Sequence, residues 1–442
     1  MTYKQALDWI YGLEGRGIKL GLSNIERLLR FFGEPHISYP VVLIAGTNGK
    51  GSVASFISNI MKEAGLKVGL YTSPHLITMR ERFAVFDKSG EKHIPRRKVA
   101  DIAGKLKESI SNVFDKPPYS APTYFEILTA MAFIYFRDEK IDFGVFEVGL
   151  GGRLDATNVS SPVLSIITNI GLEHTDYLGK TLSLIAREKA GIIRDNTPLV
   201  TGCCGEALDA ILEIAKGKNA PVYVYGRDFL VSGFSDAGVY QKTDINGING
   251  IYPDILLSLR GKWQSINAAL AIAAAEVLSE RFPVKKKHIY KGLKQARWPG
   301  RFEIIGKCPV FILDGAHNPH AAGMLKEEIT RLRSSSYSGQ ARKITMLFGV
   351  LKDKNRKEIM EALFPFADEV ILLGPKMDRA VPPDILLKEG KKYNKNISAG
   401  KNLPSVIKEI KKTYSENDIV LVCGSLYLVG EARSILLGEK QE

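Results

Sequence analysis

The chain has 442 residues, 45% of them hydrophobic and 25% charged, and a formal net charge of +13. Such a length suits two domains, or three, of an ordinary soluble globular protein. No apolar run is long enough to span a membrane. Met1–Gln5 leads into an amphipathic segment that lacks the apolar core of a signal peptide. Cys203, Cys204, Cys308 and Cys423 form no C-x-x-C pair or ligand cluster. They read as reduced, mostly buried thiols of a cytoplasmic protein. The positive charge raises the question of nucleic acid. However, the basic residues are spread along the chain, with only short runs such as Arg96–Lys98 and Lys285–Lys287. No zinc finger or aromatic RNA-binding signature accompanies them, which favours a basic surface around a site for small anions and argues against a nucleic-acid or membrane partner.

In chain order, the first informative element is the apolar strand Val41–Ala45. It runs into Gly46, Thr47, Asn48, Gly49, Lys50, Gly51 and Ser52, after which an amphipathic helix spans about Ser52 to Ala64. This is the layout of a phosphate-binding loop. Backbone N–H groups wrap the phosphates, the Lys50 ammonium sits on the outer ones, and the Ser52 hydroxyl reaches a Mg²⁺ ion. The spelling departs from the common G-x-x-x-x-G-K-[ST] loop. Ile44 stands where the first glycine is usual, and Gly51 separates Lys50 from Ser52. A bare glycine-rich turn would explain the glycines alone, but not the ordered run of strand, Gly-Lys, Ser and helix.

A strand is predicted at Lys67–Tyr71, ending at Thr72-Ser73-Pro74-His75, then helices near Arg97–Val113 and Pro122–Arg137. The strand Asp142–Val148 runs into Gly149-Leu150-Gly151-Gly152, and Val163–Asn169 precedes Gly171-Leu172-Glu173-His174. This alternation predicts a parallel sheet covered by helices, with ligands at the carboxyl ends of its strands. Residues Asp228–Leu259 break the pattern and read as small antiparallel strands or loops. Ser265–Phe282 is a strong helix, and Trp298-Pro299-Gly300-Arg301 reads as a hinge. Strands resume at Val310–Leu313, Lys343–Phe348, Glu369–Leu373 and Ile419–Val422. The fold class is therefore α/β. A P-loop-type, mostly parallel sheet domain over residues 1–298 is followed by a smaller Rossmann-like α/β domain over 299–442.

Lys50, Ser73, Glu147 and His174 all fall at or just past predicted strand ends. Singly, Ser73 reads as a turn residue, Glu147 as a strand-end charge and His174 as a loop histidine. Their shared topological position makes them a set suited to a hard cation, although histidine is a less typical ligand for Mg²⁺. Lys189, in Glu188-Lys189-Ala190-Gly191, reads locally as a helix-end lysine before a glycine stop. Asp314 and His317 lie in Asp314-Gly315-Ala316-His317-Asn318-Pro319, where they can contact a nucleotide or a reacting carboxylate. Asn318 and Pro319 read as the N-cap and first residue of a helix.

Taken together, Gly46–Ser52, Ser73-Pro74-His75, Glu147–Asn158, Glu188–Gly191 and Asp314–Pro319 closely resemble the folylpolyglutamate and dihydrofolate synthases, the folate branch of the Mur ligase superfamily. The resemblance runs from about Gly21 to Gly430. It implies an ATP-dependent ligase that adds L-glutamate to a folate or dihydropteroate carboxylate and works as a monomer. The resemblance places Lys50 on the ATP phosphates and makes Ser73, Glu147 and His174 ligands of Mg²⁺, with two metal sites and room for a monovalent cation. It implies that Lys189 is carbamoylated, and so supplies oxygen near the second metal. It assigns Asn267, Arg301 and Asp314 to ATP and His317 to the reacting groups. The pterin side would be formed by Leu20, Gly21 and Leu22, by Thr123, Tyr124, Phe125 and Glu126, and by Leu154, Asp155 and Ala156.

The chemistry is consistent. A carboxylate is a poor electrophile until ATP phosphorylates it, and the glutamate amine then attacks the acyl phosphate. Water must be kept out, which the closing of two domains would do. Two rivals remain at this point. A cell-wall Mur ligase would need a separate UDP-sugar domain, and only about 40 residues precede the loop. A P-loop ATPase acting on nucleic acid would show DNA-stimulated turnover and no need for folate.

Overall fold

The computed structural model describes residues 1–17, 19–114, 121–237, 240–334, 343–416 and 418–439. It comprises two compact units. The first contains Met1–His75, Met79–Ser258 and Gln264–Ala296, and the second Leu76–Thr78, Leu259–Trp263 and Arg297–Glu442.

The first unit is built on β1 (Val41–Ala45), β2 (Val68–Tyr71), β3 (Phe83–Asp87), β4 (Gly90–His93), β5 (Phe143–Glu147), β6 (Pro162–Ile167), β7 (Leu199–Thr201) and β8 (Val222–Val224). They form one eight-stranded sheet in the order β4-β3-β2-β5-β1-β6-β7-β8. β1 lies between β5 and β6, parallel to both. All its residues are buried, as a central parallel strand covered on both faces requires. Its apolar, largely β-branched run suits that position. The helix after the loop covers Lys50–Glu63, so it opens at Lys50, earlier than the Ser52 start expected from the pattern. The helix Tyr124–Asp138 starts with a reciprocal box in which Thr123 and Glu126 cap each other. Phe133 of that helix stacks on Phe146 of β5 at 4.6 Å between ring centroids.

The β3–β4 hairpin was not foreseen. β3 is antiparallel to β2 and β4 to β3, and β4 forms the edge of the sheet. The hairpin turn is local chemistry, with Asp87 accepting from the Ser89 backbone N–H at 2.7 Å. The antiparallel segment that was expected after Asp228 does form. It is a three-stranded sheet of β9 (Leu230–Ala237), β10 (Tyr240–Asn246) and β11 (Ile251–Leu257) in the order β11-β10-β9.

The second unit contains β12 (Glu303–Ile305), β13 (Val310–Leu313), β14 (Ile344–Phe348), β15 (Glu369–Leu372), β16 (Ile397–Ala399) and β17 (Ile419–Cys423). Their order is β12-β13-β17-β14-β15-β16, parallel except for the edge strand β12. Asn318 caps the helix Pro319–Ser334, accepting from the Ala321 N–H at 2.8 Å, with Pro319 at its first position.

All four cysteines are free. Cys203 and Cys423 are buried, but Cys204 and Cys308 are exposed, which corrects the expectation of mostly buried thiols. The exposed pair sits on connections, at the start of the helix Gly205–Gly217 and in the turn before β13, where little covers a side chain. Among the described residues, no helix is long and apolar enough to cross a membrane.

Candidate active site

The neighbours β2, β5, β1 and β6 run parallel, so their carboxyl ends share one edge of the sheet. The Gly46–Ser52 loop leaves β1 at that edge. Ser73 follows β2, Glu147 ends β5, and Gly171–His174 follows β6. The topology thus gathers residues that are far apart in sequence.

The loop is braced from the β6 side. Thr47 donates its backbone N–H to the Asn169 carbonyl at 2.9 Å. Asn48 donates its own to Asn169 Oδ1 at 2.9 Å, and Thr168 Oγ1 donates to the Asn48 carbonyl at 2.6 Å. Two glycines are required by close approach. A Cβ on Gly46 would lie 1.9 Å from Thr168 Oγ1, and one on Gly49 would lie 2.5 Å from Asn267 Oδ1. Both also have positive φ. Asn267 is therefore part of the loop's wall. It donates from Nδ2 to Gln264 Oε1 at 2.9 Å, and Gln264 Nε2 donates to Ser52 Oγ at 3.2 Å.

Two lysines share one loop carbonyl. Lys50 Nζ donates to Gly46 O at 3.0 Å and to Thr47 O at 3.2 Å. Lys189 Nζ donates to the same Gly46 O at 2.8 Å. Lys189 is buried, and its helix-end position had suggested only a stop signal. Burial pushes its ammonium down to about 7, and the nearby charge of Lys50 acts in the same direction. Glu173 acts the other way, which places that carboxylate in the same neighbourhood.

Glu147 is buried, and its Oε2 accepts from the Ser73 backbone N–H at 3.1 Å. His174 caps the short helix Thr175–Leu178 from a left-handed conformation, and its Nε2 faces Glu173 Oε1 at 3.7 Å. Among the described residues no three His, Cys, Asp or Glu side chains gather into a metal cluster. What is present is one buried carboxylate on the Ser73 N–H, at the same sheet edge as the phosphate loop and its Ser52. That donor chemistry fits Mg²⁺, which takes few protein ligands and completes its shell with phosphate oxygens and water.

The helical elements next to the three segments expected on the pterin side pack together. The helix that follows Leu20, Gly21 and Leu22 (Ser23–Phe31) packs against Ala156–Val159 and the helix Tyr124–Asp138. The Phe125 ring lies against Gly149, where a Cβ would come within 2.5 Å of it, and Tyr124 stacks on Tyr11. Leu20 is 50% exposed, whereas Ala156 and Asp155 are buried. Asp155 is a hub. Its carboxylate accepts from the N–H groups of Gly149, Leu150 and Thr157 and from the Thr157 hydroxyl. Burial raises its carboxyl above the usual range, and these donors pull it back.

In the second unit, buried Asp314 accepts from the N–H groups of Ala316 and Phe302, each at 2.9 Å. Burial raises its carboxyl, opposed first by the Arg301 charge. His317 Nδ1 lies 2.7 Å from the Gly315 carbonyl. A carbonyl only accepts, so Nδ1 carries the proton, which in a neutral ring makes Nε2 an acceptor.

The sequence reading passed over Thr168, Asn169 and Gln264. None carries a motif, but the first two directly follow β6, the strand beside β1, and the third lies one turn before Asn267. The position of each relative to the loop was the available signal.

A glycine-rich loop between a central parallel strand and a helix, with two lysines on one of its carbonyls, defines a P-loop-type nucleotide-binding protein. The Mur ligase middle domain family matches residues 44–275, and the family described as Mur ligase, glutamate ligase domain matches residues 300–426. A dihydrofolate synthase/folylpolyglutamate synthase of Bacillus subtilis is 35% identical, covering 98% of this chain and 99% of the relative. The crystal structure of a folylpolyglutamate synthase from Thermotoga maritima superposes with a TM-score of 0.85 at 36% identity, covering 100% of this chain and 98% of that one. The Escherichia coli FolC structure, in complex with DHPP and ADP, gives a TM-score of 0.86 at 29% identity over 98% of both chains. The chain belongs to the Mur ligase family, in the branch of the folylpolyglutamate and dihydrofolate synthases.

Proposed function

We propose that this protein is an ATP-dependent ligase that adds L-glutamate to a carboxylate of a reduced folate and, as a second activity, to dihydropteroate. The observation that carries this reading is the braced Gly46–Ser52 loop with Lys50 and Lys189 on one carbonyl. The double name of the Bacillus relative and the complex of the Escherichia coli protein support the substrate pair. The four free thiols agree with a cytoplasmic enzyme.

The loop's N–H groups and the N-terminus of the Lys50–Glu63 helix hold the ATP phosphates. Lys50 turns from its loop carbonyls to the outer phosphates. The substrate carboxylate attacks the γ-phosphorus and ADP leaves. The glutamate amine then attacks the acyl carbon and expels phosphate, losing a proton. Glu147, with Ser52, Ser73 and His174, would hold Mg²⁺, which neutralises phosphate charge when bound. In the second unit we assign Arg301 and Asp314 to the nucleotide and His317 to the reacting groups.

Lys189 is the carbamate site in this reading. An amine whose proton leaves at about pH 7 is partly neutral at physiological pH. It attacks CO₂, an N–C bond forms, and the N–H proton is released, leaving an anionic oxygen donor. ¹³C-bicarbonate should give a carbamate signal in the wild type that Lys189→Ala lacks.

The deciding experiment is ADP release with tetrahydrofolate and with dihydropteroate, each with and without L-glutamate. Turnover that requires both glutamate and the pteroyl compound supports the reading. Turnover stimulated by DNA and indifferent to folate would overturn it.

A further inference from the structure

Arg82 is the only arginine that is buried among the described residues, with 7% of its surface exposed. Among the described residues no carboxylate pairs with it within 4.0 Å, and its side-chain bond goes to a histidine. Nε donates to His75 Nδ1 at 2.9 Å, and the guanidinium carbon lies 5.7 Å from the centroid of the Tyr124 ring. Four other partly covered arginines have oxygen partners. Arg331 is paired with Glu328, Arg356 with Glu389 and Arg433 with Glu303, while Arg194 meets three carbonyls. His75 cannot neutralise Arg82, because an imidazole whose Nδ1 accepts an N–H carries no negative charge. A neutral ring that accepts at Nδ1 fixes the plane of the guanidinium and adds no charge.

A mostly enclosed guanidinium with no anion paired to it is costly, and terminal nitrogens left open are where an anion can bind. The position of Arg82 says which anion. Its carbonyl accepts from the Thr72 N–H at 3.2 Å, so it stands beside the end of β2, next to Ser73. The Ser73 N–H in turn meets Glu147. On its other side is Tyr124, in the segment assigned to the pterin. Arg82 therefore lies between the phosphate-transfer edge and the aromatic wall. Its terminal nitrogens make no bond within the described residues, nor are they among the enclosed side-chain nitrogens left without a partner, so the exposed remainder of the side chain includes them.

We propose that Arg82 binds a carboxylate of the pteroyl substrate through its two terminal nitrogens, while His75 and Tyr124 hold the guanidinium in place. The proposal rests on the ligase reading above. A planar fork matches a carboxylate in a way a lysine does not. A folate has two carboxylates at its glutamyl end, one reacting and one spectator, whereas dihydropteroate has only the reacting one. The two sources are therefore separable.

The test is steady-state kinetics of Arg82→Met and Arg82→Lys with tetrahydrofolate and with dihydropteroate, and with ADP affinity and melting temperature measured alongside. A rise in KM of about 10- to 100-fold for tetrahydrofolate alone places the spectator carboxylate on Arg82. A comparable loss of kcat/KM with both substrates places the reacting carboxylate there. Arg82→Lys should recover only part of the loss, since it keeps the charge and lacks the fork. Unchanged constants for both pteroyl substrates, or a rise in KM confined to glutamate, would overturn the proposal. If Arg82→Met melts early, Arg82→Lys carries the test. A wild type with no folate-dependent turnover would instead count against the ligase reading itself.

Discussion

Each unit places a buried aspartate just beyond a strand of its parallel sheet, and the two are used differently. In the first unit, Asp155 is saturated by four donors from its own segment, three backbone N–H groups and the Thr157 hydroxyl. In the second, Asp314 takes only the N–H groups of Ala316 and Phe302 and sits near the Arg301 charge. A carboxylate has about four acceptor positions. Asp155 uses them to shape the Gly149–Thr157 turn, which holds its neighbours in place. Asp314 keeps capacity for a ligand. Both are buried, so the hydrogen-bond inventory is what separates them: a brace with every position filled, and a carboxylate with positions open for the proposed nucleotide contact.

The contrast between brace and binder is sharpest at Lys50, whose bonds go only to carbonyls of its own loop. Lys50→Ala should lower ligation about 10²- to 10³-fold, the usual loss for a preorganised charge on a transferring group, with an unchanged melting temperature. A large fall in melting temperature would make Lys50 a brace as well.

Next in size is the pair of aspartates. Asp155→Ala leaves four buried donors unmet and should cost about 3 kcal/mol, whereas Asp314→Ala leaves two and should cost about 1–2 kcal/mol. Urea unfolding of both variants measures this. Equal losses, or a larger one for Asp314→Ala, would erase the distinction. The smaller loss should come with the weaker ADP binding.

The smallest effect is a pH profile. The folded-state value of Lys189 is about 7, against 10.5 for an ordinary lysine. Between these values the unfolded chain holds a proton that the folded chain has released, so stability rises with pH across that window. In bicarbonate-free buffer the wild type should gain stability relative to Lys189→Met from pH 7 towards 10, with parallel profiles below 7. Parallel profiles throughout would mean that the amine titrates normally.

Much of this was legible in the sequence because parallel sheets announce themselves. β13 matched its expected bounds, and β14, β15 and β17 differed by a residue at an end. The alternation also placed Ser73, Glu147 and the phosphate loop at one sheet edge before any coordinates. The β3–β4 hairpin was missed because it interrupts a βα rhythm with a short edge element whose outer strand is mostly exposed. Gln264, Thr168 and Asn169 were missed because bracing depends on which strands are neighbours, and no residue pattern encodes that. Arg82 was missed for a related reason. An arginine in Met79-Arg80-Glu81-Arg82 looks like surface charge, and only burial beside a neutral histidine shows otherwise.

If the phosphate loop serves to activate a substrate carboxylate, and not merely to hydrolyse ATP, a carboxylate oxygen must pass to the phosphate. Tetrahydrofolate labelled with ¹⁸O in its glutamyl carboxylates, turned over with ATP and L-glutamate, tests it directly. One ¹⁸O atom is expected in each inorganic phosphate released, carried there when the acyl phosphate is broken by the amine. Phosphate free of ¹⁸O, formed alongside the glutamylated product, would contradict it.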